Sequence, residues 1–214
     1  CCPGFVNMIE KDYPELEEYV SSAVSPMCGL SRLIKANHPG AIVVFIGPCI
    51  AKKSEATEHN IEGNADYVLT YSEIRAIMKA KGVELQPSEN DYQESSTYGK
   101  RFGNSGGVTS AVLQYMKEKD YDCDPKVCKA NGAAECKKAL LLLKAGKLSE
   151  DFIEGMACVG GCVGGPSAFK NQLVSKKDRD ALIGKADGRD ITENLSHFDQ
   201  SNFSMHRTEH SLEA

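Results

Sequence analysis

The sequence predicts an α/β fold, a parallel sheet flanked by helices. Three observations carry this expectation. Short apolar runs alternate along the chain with segments of helical periodicity, the pattern that lays helices on parallel strands. The run AIVVFI (41–46) is apolar on both faces, as a strand covered from both sides would be. Turns rich in cysteine and glycine follow the strands, and open α/β sheets bind ligands in the crevice beyond the strands' carboxyl ends.

Pro3 suits the first turn of a helix over 3–13, where its missing N–H is not needed. Phe5, Met8, Ile9 and Tyr13 then share one face. Helices are expected again over 14–22 and 26–37. The strand at 41–46 ends at Gly47-Pro48-Cys49, and IAKKSEA continues as helix. DYVLT (66–70) reads as a strand and 71–82 as a helix stopped by Gly82. The polar stretch 84–101 reads as a loop. Residues 106–119 read as a helix, 125–130 as a strand and 133–146 as a helix. The strand at 151–157 runs into the loop CVGGCVGGPS (158–167). Residues 1–170 are expected to form the domain, and the polar residues 171–214 a tail of peripheral helix or partial order.

The 214 residues suit one large domain or two small ones, and 41% hydrophobic content excludes a disordered or collagen-like chain. Twenty-five basic against 30 acidic residues give a net charge of −5, with no basic stripe for nucleic acid. No apolar run approaches the ~20 residues of a membrane span, and no signal peptide is visible. Nine cysteines, an odd and scattered set, argue against a disulfide scaffold. They favour metal binding or thiol chemistry in a reducing cytoplasm. The chain opens on Cys1-Cys2-Pro3 without a methionine and is read as part of a longer protein.

Cys1 and Cys2 begin a helix, Cys49 follows one strand, and Cys158 and Cys162 follow another. Helix N-termini favour thiolate over thiol, and four converging thiolates can hold an iron–sulfur cube. Gly160, Gly161, Gly164 and Gly165 let backbone approach a bulky cofactor and offer amide hydrogens to its sulfides. Spacing alone leaves two alternatives open: buried free thiols, or zinc held by thiolates.

The segments CCPGFV, GPCIAKKSE and EGMACVGGC resemble, in order, the three cluster-binding motifs of the iron-only ([FeFe]) hydrogenase catalytic domain, which run TSCCPxW, MPCxxKxxE and ExMxCxxGC. SSAVSP (21–26), FGNSGGV (102–108) and NGAAECKKALLLLKAG (131–146) are similar to family segments in the same order. The resemblance spans about residues 1–170 and implies one lobe of that domain, its C-terminal part. The lobe that precedes it in the family is not among these residues.

What the resemblance implies is specific. The family's H-cluster is a [4Fe–4S] cube joined through a cysteine sulfur to a di-iron subcluster with CO, cyanide and a bridging dithiolate amine. By motif, Cys2, Cys49, Cys158 and Cys162 would hold the cube, with Cys162 bridging to the di-iron unit. Cys1 would relay protons, Lys52 would donate to a cyanide, and Ser21 would stand on the proton path. Ser25 and Pro26 would line the di-iron pocket, with Pro48 preceding a ligand and Phe102 and Gly103 forming a wall. Met156 would pack beside the cofactor. Glu55 reads equally as a site residue or as a partner on the helix surface. The activity implied is reversible H₂ oxidation and proton reduction, with ferredoxin or another carrier taking the electrons and hydrogenase maturation proteins supplying the cofactor. Without the preceding lobe, these residues alone are expected to be inactive.

Each residue also has an ordinary reading. Lys52 could be a solvated surface lysine, Ser21 or Ser25 a helix cap, and Met156 plain core. Gly47 stands where the family motif has methionine, which is expected to open space near the di-iron ligands. Phe5 replaces the motif's tryptophan, and Gly155 is a further departure. Cys28, Cys123, Cys128 and Cys136 match no family ligand and read as free thiols, with a second metal site the weaker alternative. Two rival functions remain: a slow sensor of the same fold, and the hydrogenase-like iron–sulfur assembly proteins, which do not activate H₂. The presence of Cys1 favours turnover.

Overall fold

In the computed structural model, residues 1–58, 61–86, 95–186, 188–199 and 202–207 are described. Helix α1 (Pro3–Asp12) carries its proline in the first turn, as the sequence suggests. The expected second helix is a short 3₁₀ segment, Pro14–Tyr19. Pro14 starts it, and Leu16 is its single buried residue, so nothing rewards a longer run. Helix α2 (Pro26–Asn37) begins at Ser25, whose hydroxyl accepts the Cys28 N–H.

Strand β1 (Val44–Gly47) pairs in parallel with β2 (Tyr67–Thr70), Val44 opposite Tyr67 and Gly47 opposite Thr70. Helix α3 (Ala51–Ala56) lies between them in sequence. Helix α4 (Tyr71–Ala80) grows directly from β2 through a capping box in which Thr70 and Glu73 satisfy each other's backbone N–H. Helix α5 (Thr97–Arg101) falls inside the stretch read as loop, with Ser96 as its N-cap. Part of that stretch, 87–94, lies outside the described residues. Helix α6 (Gly107–Glu118) precedes β3 (Val127–Asn131), α7 (Ala133–Lys144) and β4 (Phe152–Met156). β3 and β4 form a second parallel pair, Val127 opposite Phe152 and Asn131 opposite Met156. The class is α/β as expected, but the parallel strands form two separate two-stranded sheets.

Three apolar clusters hold these layers. Ile9, Tyr13, Leu16 and Leu140 join α1 to α7, while Ala130, Cys136 and Ala139 seat α7 on the β3–β4 sheet. Phe5 and Met8 touch both clusters and so fasten α1 to the second sheet. Met27, Ala65 and Val68, with Val43, Phe45 and Ala56 against them, pack α2 and α3 onto one face of the first sheet.

The other face of that sheet is open, contrary to the expectation for 41–46. Ile42 is 71% exposed, Val44 42%, Ile46 47% and Tyr67 62%. The period of two sends Phe45 and Gly47 inward and Val44 and Ile46 outward, and among the described residues no layer covers the outer side.

Beyond residue 170 the chain is helical at α8 (Gln172–Ile183) and α9 (Ile191–Leu195), with Ile183 buried. Residues 204–207 fold back onto the segment before α2. Ala23 and His206 form an antiparallel bridge, Val24 N–H donates to Met205 O and Arg207 N–H to Ser22 O. Buried Arg32, on α2, holds the returning segment, donating to the carbonyls of Ser204 and His206 and, from Nε, to that of Glu62.

Candidate metal-cluster site

The loop after β4 is tied to three other elements. Gly160 and Gly161 take positive φ (81° and 85°), which turns the chain sharply enough to bring Cys158 and Cys162 to one side. Gly160 N–H donates to Asn131 Oδ1 at the end of β3, 2.6 Å. Cys162 N–H donates to Gly103 O, 2.7 Å, and Ser167 N–H to Pro48 O, 3.1 Å. The loop therefore joins the carboxyl ends of β1, β3 and β4, where the sequence placed the crevice.

Cys2, at the N-cap of α1, reaches the same place. Its sulfur accepts the Ala157 N–H at 3.5 Å. A β-carbon built on Gly4 would lie 3.0 Å from that of Ala157, 3.8 Å from the Cys2 sulfur and 4.0 Å from Ala51, so α1, α3 and the end of β4 meet there. Desolvation by the surrounding protein raises the pKa of Cys158, and the thiols of Cys2 and Cys49 raise it further. Cys162 reaches solvent, yet desolvation raises it too, and Cys49 and Cys2 add to the rise while Lys52 and Arg179 oppose it. Cys2 and Cys49 thus lie within electrostatic reach of both Cys158 and Cys162. The donor set is four soft sulfurs without a carboxylate or imidazole, the chemistry an iron–sulfur cube takes. Among the described residues, no three His, Cys, Asp or Glu side chains close around a single ion.

A second group adjoins it. Lys52 is 7% exposed and Glu55 3%, which sets aside the surface readings of both. Lys52 Nζ donates to Glu55 Oε2 at 2.5 Å, to Ser25 Oγ at 2.9 Å and toward Cys1 O at 3.5 Å. Burial of an ammonium requires such a partner. Ser25 is helix cap and Lys52 acceptor at once, and Pro26 follows it as the first residue of α2. A cavity of about 480 Å³ opens beside this group, lined by Cys1, Ser21, Ser25, Pro26, Phe102 and Glu55 among others. Ser21 Oγ accepts the Ala23 N–H. Met156 closes β4 at 2% exposure.

The space expected beside Gly47 is taken. A β-carbon there would stand 2.8 Å from the Phe45 ring, which lies two residues back on the same strand face. Likewise Phe5 lays its ring on Gly155, 2.4 Å from where a β-carbon would be.

Sequence reasoning missed two residues that shape the site. Glu154 is buried on β4 and accepts the N–H groups of Gly106 and Thr109 and the Thr109 hydroxyl, fixing the start of α6. It stands within the third motif, whose spacing was the one clue to it. Arg179 lies in the polar stretch read as tail, where no local pattern marks it.

The family model described as iron only hydrogenase large subunit, C-terminal domain, matches residues 1–166. The periplasmic [Fe] hydrogenase large subunit of Nitratidesulfovibrio vulgaris is 31% identical over 224 residues, covering 84% of this chain and 53% of that protein. Iron hydrogenase 1 of Clostridium pasteurianum is 31% identical over 211 residues, covering 77% and 36%. A cytosolic Fe-S cluster assembly factor of Xenopus tropicalis is 26% identical over 226 residues, covering 83% and 48%. Among solved structures, one described as showing stepwise [FeFe]-hydrogenase H-cluster assembly superposes with a TM-score of 0.66 at 26% identity, over 92% of this chain and 69% of that one. The chain spans about half or less of the length of these curated relatives.

Proposed function

Because the chain belongs to the family of C-terminal domains of the iron-only hydrogenases, we propose that it supplies the cluster-binding lobe of an enzyme that reversibly oxidises H₂ and reduces protons. Electrons would pass to ferredoxin or a similar carrier in the cytoplasm, and maturation proteins would load the cofactor. One observation supports this most: Cys2 and Cys49 lie within electrostatic reach of Cys158 and Cys162, and a buried Lys52 held by Glu55 and Ser25 reaches Cys162 as well. Among the described residues no helix is long and apolar enough to cross a membrane.

Cys2, Cys49, Cys158 and Cys162 would hold the cube, and the family's di-iron subcluster, when bound, supplies the open metal position and the base at which H₂ is split. The chain's own residues do the rest. Glu55 and Ser25 fix the Lys52 ammonium in one orientation and balance its charge, so a donor stands ready beside Cys1 without reorganisation. Thiols as a class ionise near enough to neutrality to pass protons, which suits Cys1 to the relay. Phe102 and Met156 supply apolar wall. Replacing Cys1 by serine raises the relay's pKa far above neutrality, and turnover is expected to fall by roughly 10²–10⁴, the usual size of a lost acid–base group. Gas-evolution assays with the cofactor still bound check this.

The decisive measurement is infrared spectroscopy of the matured protein. CO and cyanide stretches are the expected result. The second reading, an iron–sulfur assembly protein, is favoured by the similarity to the Xenopus factor. It would show cube absorbance without those stretches.

A further inference from the structure

We propose that Arg179, on α8, is a positioning residue of the cluster site, fixed over Gly103 so that its charge raises the reduction potential of a cube held by Cys162. The inference rests on the reading above. One guanidinium nitrogen, Nη2, donates to the Lys100 carbonyl at the end of α5. The guanidinium then lies on Gly103, 2.9 Å from where a β-carbon would stand, so the bare glycine lets it seat there without shifting. The carbonyl of that same glycine accepts the Cys162 N–H at 2.7 Å. Arg179 thus reaches the ligand loop through a single residue.

Two further facts give that charge a use. Arg179 Nε is buried and has no hydrogen-bond partner, an expensive state that a bound anionic group would relieve. Among the described residues Arg179 forms no ion pair, whereas neighbouring Asp178 is held by Lys170. One-electron reduction of a [4Fe–4S] cube adds one negative charge, with the electron delivered by the carrier. A fixed, uncompensated cation in a partly desolvated position favours the reduced state. Lys52 is a cation held by Glu55 and Ser25; Arg179 is a second cation, set against the Cys162 loop through Gly103 by a helix with no cysteine of its own.

The test is an anaerobic redox titration, read by electron paramagnetic resonance, of protein reconstituted with iron and sulfide. R179Q and R179M remove the charge, R179K keeps it, and K176Q removes an exposed charge from the same helix. R179Q or R179M, whichever retains wild-type circular dichroism, is expected to titrate at a more negative potential, with R179K and K176Q close to wild type. An unchanged potential in the folded neutral variant, or an equal shift in K176Q, overturns the proposal while leaving the cube in place. Failure of the wild-type protein to assemble a cube overturns the functional reading and this proposal with it.

Discussion

The nine cysteines are free and differ sharply in surroundings. Cys28 and Cys136 have no exposed surface. Burial pushes the Cys28 thiol up, and burial followed by the charge of Cys2 takes Cys136 to about 11. Thiolate is the reactive form, so both should resist alkylation at neutral pH and be labelled after exposed Cys123. Mass spectrometry of native protein treated briefly with iodoacetamide checks the order; early labelling of Cys136 would contradict its packing. Gly47 offers a second residue-scale test. Restoring the motif's methionine by Gly47→Met drives a side chain into the Phe45 ring. Overpacking of this kind costs about 1–3 kcal/mol, and the double variant G47M/F45A should recover part of it in urea denaturation. Additive losses would show that the ring simply moves aside.

At the scale of elements, carboxylates on one segment finish the helix ends of another. Glu154 on β4 satisfies two N–H groups at the start of α6. Glu154→Ala leaves them without partners inside the protein, a loss of about 1–3 kcal/mol, read as a lower urea midpoint. Glu118 does the same for α9, accepting the N–H groups of Ile191 and Thr192 and the Thr192 hydroxyl. Desolvation pushes its carboxyl up, but the Thr192 and Ile191 amides outweigh this and hold it at about 2. The folded pKa lies below the unfolded one. The contact is therefore complete above about pH 4.5 and is lost as pH falls toward 2. The Thr192 amide shift in an NMR titration should turn near 2; a midpoint near 4.5 would mean the carboxylate is not bound there. Neither contact was legible in the sequence. Helices α2, α6 and α7 and strands β2, β3 and β4 were, because proline, glycine and apolar period are local marks. Helix α5 was not, because Ser96 is followed by no apolar period.

Across the whole molecule, the order of the cysteine motifs marked the candidate ligands, and their places at strand ends and a helix start gave a reason for them to approach one another. What stayed hidden was contact between distant residues with no shared pattern: Arg179 on Gly103, and Arg32 clasping residues 204 and 206. The burial expected of β1 failed for a related reason. An apolar strand records that its outer face is to be covered, but not by which polypeptide, and Ile42, Val44, Ile46 and Tyr67 stay open among the described residues.

The clasp also sets an order of events. Ser22 to Val24 receive partners from residues made late: His206 Nδ1 lies 3.0 Å from Ser22 Oγ, 184 positions further on. At roughly 5–20 residues per second of synthesis, a nascent chain waits roughly 10–40 seconds between making the first strand of that bridge and the second. During this interval Ser22, Ala23 and Val24 lack the partners they have in the folded chain. A ribosome stalled before residue 204 would carry all four candidate cluster cysteines with the neighbouring segment still loose. The clasp of Arg32 on residues 204 and 206 thus closes only after every candidate cluster cysteine has been made.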